Sequence, residues 1–387
     1  MNGISFWITL AQPTGSQLHL KRRYLPAFIS IPRSSSFVET VQSYRFSILI
    51  ISMPFLKGLV HLVQLALFLG QGPSSGEAAS LPTRADNSRT VAPANCIVVK
   101  PSGASASEFT SLQAAVNSIG SSTKPVCIFL NSGTYNERVE IKVKAPLTLY
   151  GSTTDTGSYK KNTVVIQNTL GSQDAGSLDA SSTVNLRSND FAAYNIDFVN
   201  RYTAGQAVAL TANGNKTGFY GCSFKSYQDT LYVKAGWMYY SNCYIEGAVD
   251  YIFGNGHAWI GESTIASNGP GYITASSRTE PTDTSRYIID HSTITSTGTQ
   301  DLTNKVYLGR PWRVNARVMY QYSTLTNVVR PEGYSPMAEG ATPVFQEFEN
   351  TGAGADTSQR KYFTPSDKAL TKQDLWGADF KWYDASY

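Results

Sequence analysis

The 387-residue chain is poor in charge and nearly free of histidine. Asp, Glu, Lys and Arg make up only 16% of it, and there are four His and four Cys. Because aromatic residues reach 12%, 23 Tyr among them, the low charge does not signal disorder. The 31 Gly and 17 Pro follow no G-X-Y period, which excludes collagen and suits a turn-rich all-β protein. His19 and His61 fall near the N-terminus, leaving His257 and His291 for the body. No G-x-S-x-G elbow accompanies them, so a Ser–His–Asp hydrolase lacks its nucleophile signature. A P-loop, a dinucleotide fingerprint, a CxxC pair and any His/Asp/Glu cluster with metal-ligand spacing are all missing. No metal or other cofactor is expected.

Charge of one sign is also absent from the body. The net charge is +4, but residues 1–80 hold six basic residues and two acidic ones, leaving 26 of each for residues 81–387. No basic tract with interleaved aromatics occurs there, so nucleic acid is not an expected partner. The run LVHLVQLALFLG at 59–70 is too short to span a bilayer comfortably. Read from Met53, with Lys57 ahead of it and Ala78, Ala79 and Ser80 behind, it makes a complete secretory signal over 53–80. Residues 1–52 are then expected to be a gene-model extension; a signal anchor with a cytosolic tail is the alternative. A linker over 81–94 and one domain over 95–387 follow. The mature protein is expected to be extracellular, monomeric and free of membrane contact, and Asn215-Lys216-Thr217 offers a glycosylation sequon at Asn215.

One amphipathic helix is predicted at 107–119, with Leu112, Ala115, Val116 and Ile119 as its apolar stripe and Thr110 and Gln113 as a capping box. The rest reads as short strands rich in Val, Ile, Tyr, Phe and Thr. They repeat as N-I-D-F (195–198), G-C-S-F (221–224), N-C-Y-I (242–245), E-S-T-I (262–265), H-S-T-I (291–294) and Y-S-T-L (322–325). The final apolar residues are 26, 21, 20, 29 and 31 apart. A repeat of this length without intervening helices points to a right-handed parallel β-helix, its end closed by the N-terminal helix. A sandwich would need more two-residue hairpins, and a propeller four strands per repeat.

The repeat turns spacing into geometry. Residues one coil apart stack at about 4.8 Å. Cys222 and Cys243, 21 apart, are expected to bond across coils, with Cys96 and Cys127 as a second pair; buried free thiols are the alternative. Asp229 and Asp250 are also 21 apart. Two carboxylates that close cannot both ionise freely, so one keeps its proton and serves as an acid beside an anionic partner. Gln206, 22 residues before Gln228, adds two amides able to hold an oxyanion, and Arg310 in L-G-R-P-W can keep Asp250 ionised and oriented. Asp and Gln in β-helix turns can equally serve only to bond the backbone.

These pieces together resemble the pectin methylesterase (pectinesterase) family: G-T-Y-N-E (133–137), Q-A-V-A-L (206–210), Y-Q-D-T-L (227–231), G-A-V-D-Y-I-F-G (247–254) and Y-L-G-R-P-W (307–312), in the family's order and across essentially the whole body. The resemblance implies a parallel β-helix and a secreted esterase that demethylates galacturonate in pectin. It makes Asp250 the nucleophile, Asp229 the acid and then base, Gln206 and Gln228 the oxyanion holders and Arg310 the group that positions Asp250. Trp312, Phe253 and Tyr251 become candidate substrate contacts. Tyr251 departs from the family's usual Phe, so its hydroxyl either tunes substrate binding or bonds a turn. Tyr135 and Glu137 are read as structural. The helical inhibitor-like domain of many plant members has no counterpart, and the chain is more similar to the fungal single-domain form. A non-catalytic β-helix that binds acidic polysaccharide is the alternative; a lyase would need a calcium-binding acidic cluster.

Overall fold

The computed structural model describes residues 88–387 and, upstream, the backbone of an antiparallel strand pair, Ile8–Thr14 with Gln17–Arg23. The signal segment expected at 53–80 lies outside the described residues.

In the body, short β-branched and aromatic segments form strands because each buries one face. Ten of them, from Ile97–Val99 and Val126–Leu130 through Thr217–Tyr220 and Trp237–Ser241 to Val344–Phe348, stack as one parallel sheet. A second, 13-stranded parallel sheet contains two rows. The long strands Tyr244–Gly254 and Thr264–Ser276 run through both rows and join them. The chain visits the sheets in turn, coil after coil, which makes the body a parallel β-helix.

The repeat is realised residue by residue. Phe198, Phe224, Ile245, Ile265, Ile294 and Leu325, the closing residues of the six motifs, are partners in one continuous register. All are fully buried, each burial contributing roughly 1.5–3 kcal/mol. The opening residues of the same motifs, Asn195, Gly221, Asn242, Glu262, His291 and Tyr322, all have φ between 45° and 58°. That left-handed corner swings the chain from one sheet into the next. Gly and Asn adopt it at little cost, whereas Glu, His and Tyr do so only because the coil stack demands it.

The predicted helix is Leu112–Ser118, with Leu112, Ala115, Val116 and Ile119 buried in the core as expected. Its cap is Ser111 rather than Thr110: Ala114 N–H donates to Ser111 Oγ at 3.1 Å. Glu137 takes the place of the expected Gln113 box. Its carboxylate accepts from the N–H groups of Leu112 and Gln113 and from Ser111 Oγ, at 2.7, 3.1 and 3.0 Å. An anion there answers the orphan donors and the positive end of the helix. Tyr135 bonds the carbonyls of Val99 and Asn131. Both residues therefore serve the framework.

Two further expectations change. Cys96 and Cys127 are bonded, but Cys222 and Cys243 are free, buried thiols. Each lies one residue past a left-handed corner, within a coil whose ladder bonds run to both neighbours. Their sulfurs point the same way: Cys222 Sγ lies 3.4 Å from Ala193 O and Cys243 Sγ 3.4 Å from Phe219 O, each on the preceding coil. Both sulfurs lean towards the preceding coil, so the Cys222 sulfur turns away from Cys243. Cys96, ahead of the first strand of its sheet, has a neighbouring coil on one side only. The folded body also starts earlier than residue 95. Arg89, in the expected linker, donates to Gly151 O at 3.1 Å and Asn195 Oδ1 at 2.7 Å, and lies over the Tyr150 ring. Asn215 stands exposed at a turn. Among the described residues no helix is long and apolar enough to cross a membrane.

Candidate active site

Along the second sheet, outward-facing residues of successive coils form a ladder. In register these are Thr211, Tyr232, Phe253, Ala275 and Arg310. Tyr232 and Phe253 stack at 4.4 Å, and Phe253 meets Trp312 at 5.9 Å. Beside this aromatic floor lies a cleft lined by Gln206, Asp229, Asp250, Phe253, Ala275, Trp312 and Met337.

Asp229 and Asp250 enter it from equivalent turns. Gln206, Gln228 and Val249 are bridged in parallel, and Asp229 N–H donates to Val249 O at 3.0 Å, which sets the two aspartates one coil apart. Both have left-handed backbones, with φ of 63° and 49°, and both are buried, at 3% and 7% exposure. Strain of this kind persists only where surrounding structure imposes it.

Their surroundings diverge. Arg310 donates to both Asp250 oxygens, Nε to Oδ1 at 2.8 Å and Nη2 to Oδ2 at 2.7 Å, a fork that fixes the carboxylate plane. The guanidinium lies 3.8 Å over the Tyr272 ring, which holds it from the other side. Gly309 lets the segment approach: a Cβ there would sit 2.1 Å from Thr274 Oγ1. Asp229 instead accepts one neutral bond, from Gln206 Nε2 at 2.8 Å. Burial first, and then the Asp250 charge, push its pKa up to about 8. The structure thus pairs an Arg-clamped carboxylate with a carboxyl group that keeps its proton at neutral pH.

Gln206 reaches Asp229 because Ser172 orients it. Ser172 N–H donates to Gln206 O, and Ser172 Oγ to Gln206 Oε1 at 3.3 Å, leaving the NH2 end to face the acid. Asn200 holds the surrounding loops, donating to the carbonyls of Leu170, Ser181 and Val208. Gln228 lines the adjoining hollow with Gln206 and Ser172.

Tyr251 is a correction. It is fully buried in the core, not in the cleft, and its hydroxyl meets Ser267 Oγ at 3.0 Å. Gly247 makes room for it, since a Cβ there would lie 2.3 Å from Tyr251 Cβ. The contributions of Ser172, Asn200, Tyr272, Tyr232 and Met337 were not foreseen. Only Tyr232 carried a sequence signal, one coil before Phe253.

A parallel β-helix that seats two buried, unequal carboxylates in an aromatic-floored cleft fits the class of polysaccharide-acting hydrolases. Residues 96–376 match the Pectinesterase family model. The chain belongs to the pectinesterase family. It is 53% identical over 312 residues to a probable pectinesterase A of Aspergillus fumigatus, covering 80% of this chain and 95% of that one. It is 53% identical over 301 residues to pectinesterase A of Emericella nidulans, covering 77% and 91%. The crystal structure of the pectin methylesterase from Aspergillus niger is similar at a TM-score of 0.76, with 51% identity, 78% of this chain and 100% of that chain. The carrot pectin methylesterase has a TM-score of 0.67 and 30% identity, over 75% and 95%.

Proposed function

We propose that the protein hydrolyses the methyl esters of galacturonate in pectin, releasing methanol and pectate, with Asp250 and Asp229 in the two chemical roles. The observation that carries this is the asymmetry of the pair: one carboxylate clamped by Arg310, the other protonated up to about pH 8.

Asp250 attacks the ester carbonyl carbon, and the carbonyl π electrons move onto oxygen. Gln206 spends one Nε2–H on Asp229; its second, with the amide of Gln228, meets that oxyanion. The tetrahedral centre collapses as Asp229 passes its proton to the methoxy oxygen, so methanol rather than methoxide departs. Asp229, now a carboxylate, takes a proton from water, whose oxygen attacks the acyl carbon and frees Asp250. Trp312 presents its ring to the sugar, and Phe253, packed between Tyr232 and Trp312, forms the floor beneath it.

The chain also fits a secreted protein whose signal over 53–80 is removed, with residues 1–52 upstream of the natural start and Asn215 available to a glycan. Its β-helix takes the right-handed turn, with Leu112–Ser118 closing the N-terminal end of the core. The protein is proposed to act as a monomer. The test is methanol release from methylated pectin by the protein beginning near Leu81. Wild type should release methanol, and folded Asp250→Asn should fall to background while still binding pectin. Wild-type turnover by that variant would remove Asp250 as nucleophile.

A further inference from the structure

Outside the cleft, the outer face of the ten-stranded sheet carries an unexplained concentration of positive charge. Tyr287 and Val318 are register partners buried in the core, so the residues before them, Arg286 and Arg317, stack on adjacent coils and face outward. That spacing is about 4.8 Å. Both Nε atoms are buried without a hydrogen-bond partner, and among the described residues neither guanidinium is in an ion pair. The nearby carboxylates make their hydrogen bonds to neutral groups, Asp283 to Asn255 and Ser285 and Asp374 to Thr371, and act on Arg317 and Arg286 only through their charge. Arg278, 3% exposed, adds a third charge while its own donors are satisfied by the carbonyls of Asp283, Pro281 and Asn315. Burial, and then the charges of Arg286 and Arg278, push the Arg317 guanidinium down to about 10. Like charges stacked at strand spacing are costly, and Asp374 beside Arg286 and Asp283 beside Arg317 offset that cost only in part, since both guanidinium groups stay below their ordinary value.

The position says which anion would offset the rest. Arg286 and Arg317 lie on the same two coils as the cleft residues Ala275 and Trp312. Trp312 is five residues from Arg317, and Arg313, over the Trp312 ring at 5.4 Å, lies between them.

We propose that Arg286 and Arg317 form a second binding site, which takes carboxylates of de-esterified galacturonan that runs out of the cleft past Trp312. Planar guanidinium forks suit carboxylates, whereas an esterified stretch offers no charge to them. This rests on the esterase reading, because it is the reaction's own product that would be held.

The test is calorimetric titration of the wild-type protein and R286Q/R317Q with a fully de-esterified galacturonate oligomer, long enough to reach from cleft to pair. Wild-type affinity should fall as salt rises. The double variant should bind about tenfold or more weakly, the scale expected for losing hydrogen bonds to charged groups. Its kcat and KM on a short methylated oligomer that fills only the cleft should match wild type, which separates failure of this site from failure of the esterase reading. Should the double variant not fold, R317Q alone should show the same loss in smaller degree. Wild-type affinity and salt dependence in the folded variant would overturn the site. So would equally tight binding of an uncharged galactan oligomer, or inorganic sulfate matching the oligomer in raising the melting temperature at equal ionic strength.

Discussion

Two sets of left-handed residues run along this β-helix. The corner set, Asn195, Gly221, Asn242, Glu262, His291 and Tyr322, accepts almost any residue type, and its members pass from buried Asn195 to exposed His291 and Tyr322. The cleft pair, Asp229 and Asp250, has the same backbone twist, but both are Asp, both are buried, and they face opposite partners. Left-handed backbone therefore does not mark a functional residue by itself. The coil geometry imposes it at every corner. What separates the cleft pair is burial of charge beside groups that make two identical carboxyls unequal.

The sharpest way to break that comparison is to make the pair equal. Asp229→Asn removes the proposed proton donor but keeps shape, so methanol release should fall by about 10²–10⁴-fold. Its stability should move the opposite way. Because the folded-state pKa of Asp229 is raised, the wild type loses stability as pH climbs from the unfolded carboxyl value through about 8. Asp229→Asn should therefore melt higher than wild type at pH 8, and the gap should close below pH 4. A gap that widened on acidification would contradict the assignment.

Arg310→Lys keeps the charge but loses the fork and the planar contact with Tyr272. Misplacement of Asp250, the proposed attacking carboxylate, should cost about 10–10² in kcat, read from initial rates with folding checked by circular dichroism. An unchanged kcat would mean that charge alone suffices. Ser172→Ala frees Gln206 to flip, so a smaller loss, about tenfold or less, is expected in kcat with KM little changed. At the corners, His291→Asn should leave turnover untouched and shift stability by only about 1 kcal/mol either way. A large loss of activity there would undo the distinction between the two sets.

Much of this was legible before the fold was known, for a definite reason. In a coil stack, sequence separation converts directly into neighbourhood, so the in-register column from Phe198 to Leu325 and the stacking of Gln206 on Gln228 follow from counting. Counting fails where a side chain must choose a direction. Cys222 and Cys243 stack as expected, yet their sulfurs point along the axis to carbonyls of the preceding coil. Tyr251 follows Asp250 in sequence, but the left-handed turn at Asp250 and the register shift between Val249 and Ile252 put it in the core beside Ile252. Contacts made by irregular loops were invisible for another reason. Ser172 lies 34 residues from Gln206, and Glu137 26 from Ser111, with no repeat to relate them.

The inequality of the two carboxyls is most directly measured by infrared difference spectroscopy, subtracting Asp229→Asn from wild type across a pH series. A protonated carboxyl band present at pH 6 and lost in a single titration near pH 8 is the expected result. No such band at pH 6, with Asp229 already ionised, would show that the two aspartates are electrostatically alike and that Asp229 cannot be the acid.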